Sequence, residues 1–149
     1  MNFKDKISRY FSYGELVLYR KDNNPSRGEL VKLTQLCNTF LDHVRDVFGK
    51  TIVTSGYRNK KYNKAAGSRD TSQHMKGEAV DIYISNIDMR IVFLYIYENM
   101  DYDQLIFENV NGKIWIHVSW KLKGNRKDSL VYDGNEYKKY SGGLIWEYF

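Results

Sequence analysis

Hydrophobic and polar positions follow two periods along the chain, and each period predicts a type of element. From Glu29 to Phe48 apolar residues recur every three or four positions, which predicts one amphipathic helix. Residues 51–55 form a short β-branched run, and residues 78–84 alternate between apolar and polar, so both are predicted strands. Helical spacing returns from Asp88 to Met100, where Asn86 is the predicted N-cap.

The second half of the chain has the pattern of paired strands. Two strand-like runs, Tyr102 to Glu108 and Lys113 to Trp120, are joined through Asn111-Gly112, a dipeptide that strongly favours a two-residue hairpin turn. Residues 129–132 and 136–140 predict a last hairpin. These patterns predict an α+β fold, with an antiparallel sheet and flanking helices.

The length of 149 residues is close to the usual size of one domain, and we predict a single domain. Its predicted parts are an N-terminal arm (1–25), a core that carries the sequence motifs (about 29–121) and a C-terminal extension (122–149). Hydrophobic residues make up 42% of the chain and there is a single Pro, so the composition excludes a disordered or collagen-like chain.

Composition also narrows the classes of partner and metal ligand. No apolar run approaches the ~18 residues of a membrane helix, and the N-terminus lacks a signal-peptide pattern, so we expect no membrane span and cytoplasmic accumulation on synthesis. Cys37 is the only cysteine, so any metal must be held by His and carboxylate side chains. The net charge of +5 favours anionic partners, but the basic run 121–127 has no nucleic-acid motif. We predict that the protein does not bind nucleic acid, and we also predict a monomer.

Three residues, His74, Asp81 and His117, form the candidate metal centre. Asp81 and His117 each project from the less apolar face of a predicted strand, and His74 stands just before the turn that leads into the Asp81 strand. Two imidazoles and one carboxylate are the ligand set of a zinc site with an open fourth position. The spacing alone leaves a second interpretation open, in which His74 caps a turn, Asp81 is solvated and His117 is half-buried.

The residues around these positions carry the motifs of a known family. Ser72 to Asp81 (SQHMKGEAVD) matches S-x-H-x-x-G-x-A-x-D, Trp115 to His117 matches W-x-H, and Ser55 to Arg58 matches S-G-Y-R. In this order the motifs resemble the zinc D-Ala-D-Ala carboxypeptidase family. The N-terminal pattern from Tyr10 to Leu16, followed by the long helix, resembles the short single-domain branch common in phages and prophages. The resemblance extends to about Lys121 and implies the fold shared with hedgehog signalling domains.

This resemblance also implies a function. The chain would be a peptidase with one zinc ion, held by His74, Asp81 and His117. Its substrates would be the stem peptides of peptidoglycan, which it would cut either as a D,D-carboxypeptidase or as an endopeptidase of the endolysin type. As a phage or prophage product it would be released from the cytoplasm to act on the cell wall.

The same resemblance places three more residues at the substrate. Arg58, catalytic as well as substrate-binding, would hold a carboxylate or carbonyl oxygen of the stem peptide through paired hydrogen bonds. Tyr57, its neighbour in the motif, would also contact substrate. Ser72 would hydrogen-bond substrate or orient His74, or it would only cap the turn that precedes this histidine.

The chain departs from the family at the general base. The family has a catalytic glutamate three residues before the second histidine, where this sequence has Ile114. Glu108 is the candidate catalytic replacement, because a two-residue turn would pair Ile106 with His117 and place Glu108 on the same face of the sheet.

Other interpretations of the carboxylates stay open from the sequence. Glu108 could be a solvated hairpin carboxylate paired with Lys113. Glu78 is a second candidate base, although it faces opposite to Asp81 in the predicted strand. Without a base, the chain would be an inactive zinc-binding module that binds cell wall or serves as a phage structural protein.

Overall fold

Six strands form one sheet in the computed structural model, which describes residues 1–149. The strands are β1 Ile52–Ser55, β2 Ala79–Tyr83, β3 Gln104–Val110, β4 Lys113–Ser119, β5 Asp128–Tyr132 and β6 Tyr137–Lys139. Their order across the sheet is β1-β2-β4-β3-β5-β6. All neighbouring strands are antiparallel except β3 and β5, which run parallel. The predicted α+β class is confirmed, with a sheet that is mostly rather than wholly antiparallel.

Five α-helices accompany the sheet. They are α1 Tyr13–Val17, α2 Arg27–Leu36, α3 Asp42–Phe48, α4 Lys60–Ala65 and α5 Met89–Asn99. A π-helical segment, Cys37–Leu41, joins α2 to α3, and two 3₁₀ turns span Gln73–Lys76 and Ile145–Tyr148. No helix is both long enough and apolar enough to span a membrane.

The predicted helix from Glu29 to Phe48 is continuous but contains the π-helical segment. Ser26 caps its start, and Glu29 completes a capping box by accepting from the Ser26 backbone N–H. A π turn holds more residues than an α turn, so it rotates the residues that follow. Val47, which the periodicity assigns to the buried stripe, is 44% exposed near the end of α3, whereas Val44 on the same stripe stays buried.

The start of the next helix differs from the prediction by two residues. Asp88, rather than Asn86, is the N-cap of α5, and its side chain accepts a hydrogen bond from the Arg90 backbone N–H. Asn86 lies in the preceding turn with a φ of 64°, a conformation that asparagine tolerates better than most residues.

The β3–β4 hairpin has the predicted register. Asn111 and Gly112 form its turn with φ angles of 52° and 82°, both of the sign that a type I′ turn requires. Val110 pairs with Lys113, so Glu108 lies opposite Trp115 and Ile106 lies opposite His117.

One face of the sheet is apolar and forms the core with the helices. Alternate residues of the four central strands are buried there, namely Val80, Ile82, Leu105, Phe107, Ile116, Val118 and Val131. Because side chains alternate along a strand, the intervening residues of the same strands lie on the opposite face. That opposite face carries His117 and Asp81.

The C-terminal segment completes both the sheet and the core. Its predicted hairpin forms β5 and β6, and Ile145 is buried in the hydrophobic cluster. The Tyr140 ring packs edge-on against Phe93 and Tyr97, with centroid distances of 5.1 and 4.9 Å, and its hydroxyl donates to the Gly143 carbonyl. This segment is therefore an integral layer of the structure.

We expect Tyr140→Ala to destabilise the protein strongly. Tyr140 is only 4% exposed, and truncating a buried aromatic side chain costs about 3–5 kcal/mol through lost burial and a residual cavity. Urea denaturation followed by circular dichroism would measure the change in the free energy of unfolding. A loss below about 1 kcal/mol would mean that the C-terminal segment adds little to the core.

Candidate metal centre and substrate groove

The three predicted ligands come from one turn and two neighbouring strands. His74 lies in the 3₁₀ turn Gln73–Lys76 that precedes β2. Asp81 of β2 lies directly opposite His117 of β4 in the antiparallel pairing. Residues paired in this way project from the same face of the sheet, so the two side chains meet beside the turn that holds His74.

The ligand atoms lie at similar distances from one another. His117 Nδ1 is 2.9 Å from Asp81 Oδ1 and 3.3 Å from His74 Nε2, and His74 Nε2 is 3.4 Å from Asp81 Oδ1. Zinc bonds of 2.0–2.1 Å at tetrahedral angles would separate neighbouring ligand atoms by about 3.3 Å. These residues therefore fit a zinc ion held by three protein ligands.

The protonation of His74 supports the same conclusion. Its Nδ1 is 2.8 Å from the Gly56 carbonyl oxygen, which can only accept, so the ring proton belongs on Nδ1. Burial lowers the pKa of His74 and favours the neutral ring, in which Nε2 carries a lone pair. This lone pair faces a carboxylate oxygen, and a bound cation would remove the repulsion between them. A backbone acceptor on the far nitrogen is also the usual support of a metal-bound histidine.

Asp81 and His117 form a tightly coupled pair. Burial alone would raise the pKa of the Asp81 carboxyl, but the hydrogen bond from His117 and the positive charge of that ring outweigh it and hold that pKa well below its usual range. Burial lowers the pKa of His117, but the Asp81 carboxylate raises it by more. The pKa of His117 is therefore raised overall. Asp81 is therefore ionised and available as an anionic ligand.

A short segment of backbone fixes the position of His74. The Ser72 hydroxyl accepts a hydrogen bond from the His74 backbone N–H and caps the 3₁₀ turn. Gly77 ends this turn with a φ of 74°, and a Cβ at that position would lie 2.4 Å from the Glu29 carbonyl oxygen of α2. The glycine of the motif is thus required both by the backbone conformation and by the close approach of α2.

A polar groove with a volume of about 990 Å³ lies over the candidate ligands. Besides these three side chains, its lining includes Arg58, Ser72, Ile106, Glu108, Leu130 and Tyr137. The groove crosses the sheet from β2 to β6, so the C-terminal strands contribute to it as well as the motif-bearing ones.

Glu108 lines the groove on the same face as His117. Burial, together with the nearby Asp81 carboxylate, raises the pKa of Glu108 to about 7. Glu108 makes no ion pair with Lys113, which was the alternative interpretation of this carboxylate. The other candidate base, Glu78, is buried and pairs with Lys32 of α2 at 3.4 Å.

Arg58 lines the groove with an unused hydrogen-bond donor. Its Nε is buried without a partner, while its backbone N–H donates to the His74 carbonyl. Burial lowers the pKa of Arg58, and the Asp81 and Glu108 carboxylates partly oppose this effect. A buried donor without an acceptor is costly in isolation, which favours a role in binding an oxygen atom of a ligand.

Tyr57 lies elsewhere than its motif implied. Its ring is buried in the hydrophobic core and does not line the groove. Burial and the nearby Glu29 carboxylate raise the pKa of its hydroxyl to about 12. The geometry gives Tyr57 a packing role and leaves Arg58 and Ser72 as the groove-lining members of the predicted substrate set.

Sequence reasoning missed Asp103, a fully buried carboxylate at the end of the groove. Asp103 accepts from Gln73 Nε2 at 2.9 Å and forms a two-point ion pair with Arg126. It ties the turn that carries His74 to the C-terminal segment. No motif includes Asp103, and the only sequence signal is an acidic residue near the start of the predicted strand from Tyr102 to Glu108.

A comparison with protein-family models supports the class that the site suggests. The model described as Peptidase M15 matches residues 9–119, which is more than half of the chain. The protein therefore belongs to the peptidase M15 family, and the resemblance to zinc D-Ala-D-Ala carboxypeptidase-like enzymes is confirmed. A search of curated proteins gives no match. The class is that of metallopeptidases, which usually use zinc.

We expect the protein to bind one zinc ion per chain and His117→Ala to abolish tight binding. Removing one of three protein ligands leaves too few to hold the ion. His43→Ala is the matched control, because His43 is the remaining histidine and lies exposed on α3, bonded to the Tyr95 hydroxyl. Competition with a chromophoric chelator would measure affinity, and equal losses in both variants would contradict the assignment.

Proposed function

We propose that this protein is a zinc-dependent peptidase that hydrolyses peptide bonds in the stem peptides of peptidoglycan. The observation that carries the proposal is the convergence of three ligand atoms, at separations of 2.9–3.4 Å, in a groove also lined by Glu108 and Arg58. Family membership supports peptidase chemistry, and the carboxylate-rich substrates of the cell wall suit the chain's net charge of +5.

His74, Asp81 and His117 would hold the zinc ion. When bound, zinc in such a site supplies Lewis acidity and lowers the pKa of a water molecule to about 7. The Ser72 cap and the Gly56 carbonyl keep the His74 ring in the orientation that this binding needs.

Glu108 would act as the general base and then as the general acid. Its carboxylate takes a proton from the water that attacks the scissile carbonyl carbon, and gives that proton to the amine nitrogen as the C–N bond breaks. A pKa of about 7 suits both transfers, because the group can accept and release a proton near neutral pH.

Arg58 would bind and orient the substrate. Its guanidinium can donate two parallel hydrogen bonds to a carboxylate, or one to the scissile carbonyl oxygen. Because the buried Nε has no partner in the protein, it can donate a hydrogen bond to such an oxygen. Fixing the carbonyl beside Glu108 would hold the reacting atoms in an attack geometry.

Mass spectrometry of muropeptides tests the proposed activity. We expect cleavage by the zinc-loaded protein and none by the chelator-stripped protein, with activity restored when zinc is returned. Loss of a terminal alanine would identify a carboxypeptidase, and an internal cut would identify an endopeptidase. Zinc binding without any product would instead support a binding module, the alternative that the missing glutamate at Ile114 favours.

We expect Glu108→Gln to lower kcat by about 100-fold or more while zinc affinity changes little, because the amide cannot take a proton. Glu78→Gln serves as the comparison, since Glu78 is the other candidate base and pairs with Lys32. Single-turnover rates and chelator competition would be measured on both variants. A loss of turnover in the Glu78 variant alone would transfer the role of base to Glu78.

A further inference from the structure

The groove has a second end, formed by strands that the family match does not include. The match ends at residue 119, whereas β5 and β6 lie beyond it and bring Leu130 and Tyr137 into the lining. Any contact that these two residues make with a ligand therefore comes from the C-terminal segment, which lies outside the family match.

The register fixes which side chains share the groove face. Glu108 pairs with Trp115 on one side and with Tyr132 on the other, and Tyr132 pairs with Tyr137. Paired residues project from the same face, so this row presents Trp115, Glu108, Tyr132 and Tyr137 together. One row away, Ile106 and Leu130 continue from His117 towards β6 as an apolar floor.

Tyr137 presents an exposed aromatic ring at this end of the groove. Its ring stacks on Tyr132 with centroids 4.2 Å apart and planes inclined by 24°, yet it remains 57% exposed. The Tyr132 hydroxyl donates to the Gly134 carbonyl, and the Tyr137 hydroxyl has no partner in the protein. One face of the Tyr137 ring is thus held in place, and the rest is free to contact a ligand.

Distance separates Tyr137 from the reacting atoms. Three interstrand spacings lie between β4 and β6, and at about 4.8 Å each the strands are about 14 Å apart. An extended peptide covers about 3.3–3.6 Å per residue, so a ligand must extend over about four residues to reach from His117 to Tyr137. Tyr137 can therefore select substrates by length without touching the scissile bond.

We propose that Tyr137 forms a distal subsite that packs against the apolar surface of an extended peptidoglycan fragment and favours long substrates over short ones. This inference rests on the proposed peptidase function. The packed surface belongs either to the peptide or to the attached sugar, because both present C–H groups to an aromatic ring.

The experiment compares the full pentapeptide stem with the shortest fragment that contains the cleaved bond. For Tyr137→Ala we expect KM for the pentapeptide to rise about tenfold at nearly unchanged kcat, which is the size of effect typical of a lost aromatic contact. The constants for the short fragment should not change, and Tyr137→Phe should behave as the wild type because it keeps the ring.

Controls separate this role from a general loss of structure. Tyr19→Ala removes a ring of similar exposure, 60%, that packs on Phe3 and does not line the groove, so it should leave both substrates unaffected. Equal losses on long and short substrates, no loss on any long substrate with or without the sugar, or a loss in Tyr137→Phe would overturn the proposal. A disaccharide-pentapeptide arm identifies the packed group: it is the sugar if only this substrate suffers, and the peptide if both long substrates do.

Binding measurements distinguish failure of the subsite from failure of the proposed function. If the zinc-loaded wild type cleaves none of these substrates, the peptidase proposal fails, and calorimetry with the same long fragments still tests Tyr137. Weaker binding by Tyr137→Ala than by the wild type would support the subsite. Equal binding by the two proteins, or no binding by either, would overturn it.

Discussion

The pairing of Asp81 with His117 across β2 and β4 is the constraint on which the site depends. Because side chains alternate along a strand, a slip of one residue in either strand would turn one of these groups into the core. Buried neighbours on the opposite face oppose such a slip: Val80 pairs with Val118, and Ile82 pairs with Ile116. The apolar core therefore sets the register, and the register brings the two candidate ligand side chains together.

His74 has no strand to hold it, and close backbone contacts hold it instead. Its ring donates to the Gly56 carbonyl, and a Cβ at Gly56 would lie 2.2 Å from the Leu16 carbonyl oxygen of the N-terminal arm. Gly77 makes a similar approach to Glu29 in α2. The two motif glycines thus let α1 and α2 approach the backbone segments that hold His74, and these helices help to orient the third candidate ligand.

The sequence predicts those features of the fold that short local patterns determine. The Asn111-Gly112 turn fixes the parity of β3 against β4, so the face of Glu108 followed from two residues. The π-helical segment and the parallel pairing of β5 with β3 depend on packing between distant segments, and no local pattern specifies them. The position of Tyr57 in the core also depends on such packing, since its motif gives a residue type but not the direction in which the backbone turns the side chain.

The same parity determines which side chains of this hairpin face the groove. In the regular strand β4, residues 113, 115 and 117 share one face, so Ile114 lies on the opposite face from His117 and packs against the core. A glutamate at position 114 would therefore point away from the groove. In this register a carboxylate reaches the groove from the neighbouring strand, and Glu108 is the β3 residue that provides one. The departure from the family pattern is thus matched by a carboxylate that the same hairpin places on the required face.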